Sequence, residues 1–474
     1  MTSLTLQTFA DLTLRVTLTI ILATGLLQLG LYILQLALAL WELSRNRSER
    51  RQGLLWRRYS DLSPPISLLV PAFNEEKSIV DSLRSMLSLN YPNFEVIAVN
   101  DGSKDGTLQA MIDGFDLVPV NRSYEAAVKH KPIRGLYGSP SFPKLLVIDK
   151  ENGGKSDALN AGINLSRASV LCAIDADSIL EADALLRAVR PFIDDPTRTV
   201  AVGGTIRIAN GCRIEGGRVT AVGLPRSLLG LLQTIEYLRA FLMARLAWSR
   251  LKTLTIVSGA FGLFRRQVVV AVGGYSHGTV GEDLELIIKI HRHMRDQGED
   301  YAVTFIPEPV CWTEAPESWR VLGRQRSRWQ RGALETFFRH ADMLFRPRYG
   351  RIGTIGLGHV FLVDVIGPLV EVLGYVLVPV LWALGYLSVD YLLAYLALTF
   401  VFGIFVSVGS LILEEIEMKR FPRASDLVIL TFIAIVENFG YRQINNFWRI
   451  QGLWQYLRGA QGWGTMTRVG FRRQ

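Results

Sequence analysis

The chain has 474 residues, of which 49% are hydrophobic and 20% charged, with a mean hydropathy of +0.23; that is too apolar for a disordered chain or an ordinary soluble one. Its three cysteines, Cys172, Cys212 and Cys311, are odd in number and form no CxxC pair, which excludes a disulfide framework or a cysteine-based zinc site as the organising theme. The formal net charge of +9 leaves nucleic-acid binding or basic membrane-flanking loops as readings, and the distribution of charge decides between them.

In chain order, the first predicted element is the apolar run from Thr13 to Leu40, broken only by Arg15. From Val16 onward it exceeds the roughly 20 apolar residues needed to cross a bilayer. Ala37-Leu38-Ala39 would suit a signal-peptide cleavage site, but the run is too long and no basic region precedes it. Arg45, Arg47, Arg50, Arg51, Arg57 and Arg58 follow it instead. Positive residues stay in the cytoplasm, so the N-terminus is expected outside and the middle of the chain inside. Residues 1–42 are thus read as a transmembrane helix and 43–62 as a basic cytoplasmic linker. Arginines beside membrane spans also argue against a nucleic-acid partner and for the lipid bilayer.

Residues 63–316 are polar and alternate between strand and helix patterns. Ile66–Val70, Phe94–Asn100, Lys144–Ile148 and Ser169–Ile174 are short β-rich runs, with helical patterns such as Lys77–Leu89 and Lys155–Leu165 between them. The alternation predicts an α/β domain with a mainly parallel sheet. Ligands of such sheets bind at the carboxyl ends of the strands. Met111–Pro143, with Gly135, Gly138, Pro140 and Pro143, reads as a loop-rich insertion. Leu228–Leu251 is either an amphipathic helix at the membrane surface or a core helix.

Residues 317–355 have helical spacing, and their aromatics and arginines suit interfacial helices. Residues 356–474 form an apolar C-terminal region with candidate spans Leu357–Leu387, Tyr391–Leu413 and Leu427–Phe447. The link Glu414–Ala424 carries Lys419, Arg420 and Arg423 and is expected in the cytoplasm. A third full crossing would put the tail outside, yet the tail carries Arg458, Arg468, Arg472 and Arg473. Either that span is incomplete or the tail charges are overruled. Asp364 and Glu371 lie seven apart on one face of the first of these spans, with Gly367 and Pro368 on the same side. They either line a path for sugars or pair with neighbouring groups.

Acids close two of the predicted strands, in Asn100-Asp101-Gly102 and Asp175-Ala176-Asp177. Carboxylates spaced by one residue can share a hard cation, although an isolated pair is more often a turn or a helix cap. Here the pair is one of a series. PAFNEE (71–76), VNDGSKDGT (99–107), NGGKSDALNAG (152–162), DAD (175–177), GED (281–283) and QRSRW (325–329) occur in that order. The series resembles the family 2 glycosyltransferases, in particular the membrane-embedded β-glycan synthases that make cellulose, chitin, hyaluronan and poly-N-acetylglucosamine. The chain departs from the family at Gly281, where many members carry Thr, and in the long loop before Lys144.

The resemblance implies a GT-A type nucleotide-sugar-binding domain flanked by interfacial amphipathic helices and transmembrane spans. It implies a processive, inverting enzyme in a bacterial-type inner membrane. That enzyme would polymerise a UDP-activated sugar onto a growing glycan acceptor on the cytoplasmic side and export the product, with an accessory membrane subunit as an open partner. The alternatives are transfer of a single sugar to a lipid acceptor, or a non-catalytic nucleotide-binding membrane protein. In the implied site, Asp175 and Asp177 hold Mg2+ or Mn2+ and Asp101 meets the uracil or ribose. Phe73 stacks on uracil beside Glu75, unless it merely packs under the sheet. Lys155 meets a phosphate or the DAD acids. Asp283 is the base, with Glu282 as its competitor. Gln325, Arg328 and Trp329 serve the diphosphate and the acceptor. No G-x-G-x-x-G or Walker-type loop occurs, His291 and His293 are spaced wrongly for a metal pair on a helix, and Cys172 reads as core.

Overall fold

A computed structural model of the protein describes residues 3–45, 62–417 and 423–460. Residues 46–61 of the expected basic linker, Lys419, Arg420 and the tail arginines from Arg468 onward lie outside the described residues. The apolar N-terminal run is one helix, α1 (Ser3–Arg45).

The polar segment folds around a ten-stranded sheet. In chain order its strands are β1 (Ile66–Ala72), β2 (Phe94–Asp101), β3 (Val118–Pro119), β4 (Ile133–Gly138), β5 (Leu145–Lys150), β6 (Val170–Ile174), β7 (Ile179–Leu180) and β8 (Thr199–Ile208). A separate hairpin, β9 (Arg213–Glu215) and β10 (Arg218–Ala221), follows, and β11 (Phe261–Arg265) and β12 (Ala302–Thr313) complete the sheet. The spatial order is β3-β4-β5-β2-β1-β6-β11-β8-β12-β7. β5, β2, β1 and β6 are mutually parallel, and β11 is antiparallel to both of its neighbours. The central strands are buried along almost their whole length, which is why they read as continuous Val/Ile/Leu runs rather than alternating ones.

The strand order reverses between β1 and β6. A crevice therefore opens at the carboxyl ends of these two strands, where doubly wound sheets take their ligands. Helices α2 (Ile79–Leu87), α3 (Thr107–Phe115) and α4 (Lys155–Leu165) fall between the strands. The stretch read as a loop-rich insertion needs correction. Its beginning continues α3, and Ile133–Gly138 adds an antiparallel edge strand to β5, extended in turn by β3. Only the part between these strands is loop. The short edge strands are too brief for their alternation to register in the sequence.

Leu228–Leu251 is a buried rod: helix α5 (Leu228–Tyr237), a π-helical stretch Leu238–Arg245 and a last turn to Arg250. One side meets β8 and the other meets the apolar helices. It is a core element of the junction. Helix α6 (Glu282–Asp296) follows the GED loop, and α7 (Trp319–Arg339) carries QRSRW.

Beyond α7, the chain forms α8 (Gly367–Ala383), α9 (Phe402–Glu417), α10 (Ala424–Val436) and α11 (Tyr441–Leu457). Among the described residues, Asp11–Arg45, Ile352–Ala383 and Val389–Ile416 are helical stretches long and apolar enough to cross a membrane. The third expected C-terminal span, Leu427–Phe447, is not straight. The chain breaks between α10 and α11 with a bend of 57°, at Gly440, whose φ of +101° suits glycine. Helix α11 then lies along α7: the rings of Tyr441 and Trp319 are 6.3 Å apart, and Tyr456 stacks on Phe338 at 5.5 Å. Asp364 pairs with Arg449 of α11 at 2.9 Å, and Glu371 accepts hydrogen bonds from Asn446 and Tyr375. Gly367 opens no room, because a side chain there would meet Gln28 of α1 at 3.1 Å.

Sheet domain and helices are joined by buried ion pairs. Arg207 of β8 pairs with Glu414 of α9, and Arg239 of the rod pairs with Glu437, which also holds Ser407.

Candidate active site

The crevice between β1 and β6 collects the motif residues. Phe73, just past β1, is 45% exposed, so its ring does not pack under the sheet. Glu75 beside it receives a hydrogen bond from Ser78, and its own N–H donates to Thr107.

Asp101, expected to meet the nucleoside directly, is buried at the end of β2 and turned inward. One carboxylate oxygen accepts from Lys150 Nζ (2.7 Å) and the Gly153 N–H (3.0 Å). The other accepts from Asn152 (3.2 Å) and the Gly154 N–H (2.7 Å). All of its acceptor capacity goes into shaping the NGGK loop. Gly154 has a φ of +88°, open to glycine, and this lets its N–H point at Asp101.

Beneath the loop lies a group that sequence reasoning missed. Lys150 is fully buried between Asp101 and Asp157, at 2.7 and 2.5 Å, and Asp157 also accepts from His277 at 2.9 Å. Burial alone would raise the pKa of Asp157. Hydrogen bonds from Lys150, the Lys131 N–H and His277 reverse this and hold it below the usual carboxylate range. The available signal was a charged pair, Asp149-Lys150, ending an apolar strand.

Asp175 and Asp177 are half-buried on either side of buried Ala176, in the turn that follows β6. Lys155, at the start of α4, meets Asp175 at 2.6 Å and Glu282 at 3.3 Å. Burial works against its ammonium, but the carboxylates of Asp175, Glu282 and Asp283 outweigh it and raise the pKa. The opposite result falls on Glu282. Burial, aided by Asp283 and only partly offset by Lys155, pushes it up to about 7. The site thus holds more carboxylate than its lysine can neutralise. Among the described residues no three His, Cys, Asp or Glu side chains are placed to hold a metal ion by themselves. Two half-buried carboxylates spaced by one residue suit a hard cation that draws its remaining oxygens from a bound diphosphate and water.

Asp283 is the more accessible of the two GED acids; Glu282 is only 3% exposed. Its carboxylate accepts from the Gly259 N–H (3.1 Å) and the Leu284 N–H (2.8 Å), which aims it at the crevice from the first turn of α6.

Helix α7 is docked onto the same loop. Gly281 and Gly332 touch backbone to backbone: a Cβ on Gly281 would lie 2.9 Å from Gly332 Cα. Glu335 accepts from both the Thr279 hydroxyl and the Val280 N–H at 3.0 Å. Gln325 and Arg328 are half-buried on α7, and Trp329 is 45% exposed. Trp329 precedes Gly332 by less than one turn, so the two are neighbours on the helix surface. The close glycine contact explains why Gly281 replaces the threonine common in the resembled family. Gly281→Thr is therefore expected to cost about 1–3 kcal/mol by overpacking and to lower turnover, measured by thermal unfolding and product formation. An unchanged or improved protein would show that the contact is slack.

Residues 67–273 match the family model described as glycosyl transferase family 2. The chain is 30% identical over 275 residues to the poly-beta-1,6-N-acetyl-D-glucosamine synthase of Staphylococcus epidermidis, covering 58% of this chain and 56% of that protein. It is 30% identical over 302 residues to a Bacillus subtilis protein named "Probable glycosyltransferase YdaM", covering 63% and 62%. The chain thus spans little more than half the length of these relatives. Among solved structures, the mannosyltransferase PcManGT from Pyrobaculum calidifontis, in complex with GDP-Man and Mn2+, superposes with a TM-score of 0.51 at 18% identity, covering 92% of this chain and 99% of that one. That likeness is one of fold, the GT-A type expected from the sequence.

Proposed function

We propose that the protein, whose residues 67–273 match the glycosyl transferase family 2 model, is an inverting, processive synthase. It adds a UDP-activated sugar repeatedly to a growing β-linked glycan at the cytoplasmic face of an inner membrane. The observation that carries this reading is the backbone contact between Gly281 and Gly332. Through it the helix bearing the exposed Trp329 packs directly on the loop bearing Asp283.

In this reading Phe73 stacks on the uracil with Glu75 beside it. Asp101 acts through the loop it holds. Lys155 and Asp175 face the diphosphate, Gln325 and Arg328 close on it from α7, and Asp175 and Asp177 hold Mg2+ or Mn2+. When bound, the cation neutralises the diphosphate as the glycosidic bond breaks. Asp283 takes the proton of the acceptor hydroxyl, whose oxygen bonds to the anomeric carbon as UDP leaves. A single displacement inverts that carbon, so an α-linked donor gives a β-linked product. Trp329 offers its face to the terminal acceptor sugar.

Export draws support from a cavity of ≈ 110 Å³ among the apolar helices, lined by Gln28, Tyr32, Glu371, Tyr375 and Arg442. Polar groups at such depth are costly and usually face a wet path or a protein interior. The names of the Staphylococcus relatives make UDP-N-acetylglucosamine the first donor to try.

The test is product analysis of the purified protein with a panel of UDP-sugars. One donor is expected to yield UDP and a ladder of β-linked oligomers, lost in EDTA and restored by Mg2+ or Mn2+. A single sugar on a lipid would instead establish the transferase alternative. Full turnover in EDTA would remove the metal.

A further inference from the structure

The QRSRW stretch contains one arginine, Arg326, for which the reading above has no role. It is only 3% exposed. Its guanidinium carbon lies 4.2 Å from the centroid of the Trp329 ring. Its Nη1 donates to Gln325 Oε1 at 3.3 Å, and its Nη2 donates to Glu236 Oε2 at 2.8 Å. That same Glu236 oxygen accepts from the Tyr441 hydroxyl at 2.7 Å. Its Nε has no hydrogen-bond partner among the described residues. Arg326 thus touches two residues proposed to serve substrate, and is itself anchored on α5 and α11.

We propose that Arg326 is the positioning residue of the acceptor site: its guanidinium covers one face of Trp329 and holds the indole so that the opposite face is presented to the terminal sugar of the glycan. The physical argument starts from cost. Glu236 satisfies one end of the buried guanidinium, while its Nε is left without a hydrogen-bond partner among the described residues. Stacking on an aromatic face is the remaining compensation, and it requires a planar cation. An indole has two faces. With one taken by Arg326 and the ring still 45% exposed, the other is free for a sugar. The hydrogen bond to Gln325 fixes a second group of the same stretch. Glu236 and Tyr441 keep the guanidinium from swinging away, so helices of the sheet domain and the C-terminal region jointly set the orientation of one ring.

This inference rests on the synthase reading, and the experiment separates the two. Acceptor affinity is measured by calorimetry on the full-length protein, with oligosaccharide prepared from the wild-type protein's own product. Donor affinity is measured with UDP. Arg326→Met is expected to weaken oligosaccharide binding about tenfold and to shorten the products, with UDP affinity within about twofold of wild type. Arg326→Lys keeps the charge for Glu236 but not the plane, and is expected to recover little of the loss; it also serves if the methionine variant does not fold. In the double variant Arg326→Met with Trp329→Leu, oligosaccharide binding should be no weaker than in Trp329→Leu alone, because the two residues act as one. Wild-type oligosaccharide affinity and product length in either folded Arg326 variant would overturn the proposal. So would additive losses in the double variant. A wild-type protein that makes no polymer would instead refute the synthase reading.

Discussion

Asp283→Asn is expected to lower turnover by about 10²–10⁴, the usual contribution of a positioned general base, while UDP affinity stays within about twofold of wild type. The amide matches the carboxylate in size. Its oxygen can still accept from the Gly259 N–H that now holds Asp283 Oδ2 at 3.1 Å, so the loop should keep its shape. What is lost is the ability to take a proton from the acceptor hydroxyl. Calorimetry with UDP alongside single-turnover kinetics separates binding from chemistry. If the folded variant lost UDP binding, Asp283 would belong to the donor site. The neighbouring Glu282 should respond differently. It is buried against Lys155 at 3.3 Å, so a change there would disturb the ammonium that also meets Asp175.

Lys150→Met should be the most damaging change outside the reacting groups. It would leave Asp101 and Asp157 buried without their shared cation. Breaking a buried ion pair in this way costs about 3–5 kcal/mol. UDP binding should fall as well, since Asp101 shapes the NGGK loop that carries Lys155. The pH dependence has a definite sign. The pKa of Asp157 is held below its ordinary value in the folded protein. Its stabilising contribution is therefore present above the ordinary aspartate pKa and is lost as pH falls towards the lowered value. Without Lys150 that depression shrinks, so the gap in melting temperature between variant and wild type should narrow on acidification. A gap that is constant from neutral to acid pH would show that Lys150 acts through packing and not through charge.

Much of the fold was legible because strand burial and ligand position follow from local pattern. The apolar runs near Ile66, Phe94, Lys144 and Ser169 became the central strands, and the acids written at their ends lie at the crevice. Lys155 also meets the first of the DAD acids, one of the two partners the ordered motifs implied for it. What was not legible depends on partners distant in sequence. Nothing local distinguishes an inward Lys150 from a surface lysine. The inward turn of Asp101 depends on Asn152, Gly153 and Gly154, some fifty residues later. The meeting of Gly281 with Gly332 is a fact about two helices. The bend lies at Glu437–Gly440, where polar residues interrupt the apolar run, and a span drawn by length from Leu427 to Phe447 passes over it.

The junction between sheet and helices bears on what the protein can be divided into. Arg207 and Arg239 from the sheet side are neutralised by Glu414 and Glu437 from the helical side, and both carboxylates are fully buried. Each half therefore carries charges whose counter-ions belong to the other. Cutting the chain at this seam would strand arginines on one fragment and carboxylates on the other, beside newly wetted apolar surface. The sheet domain and the apolar helices are therefore expected to unfold together, and calorimetry of the full chain should show a single transition.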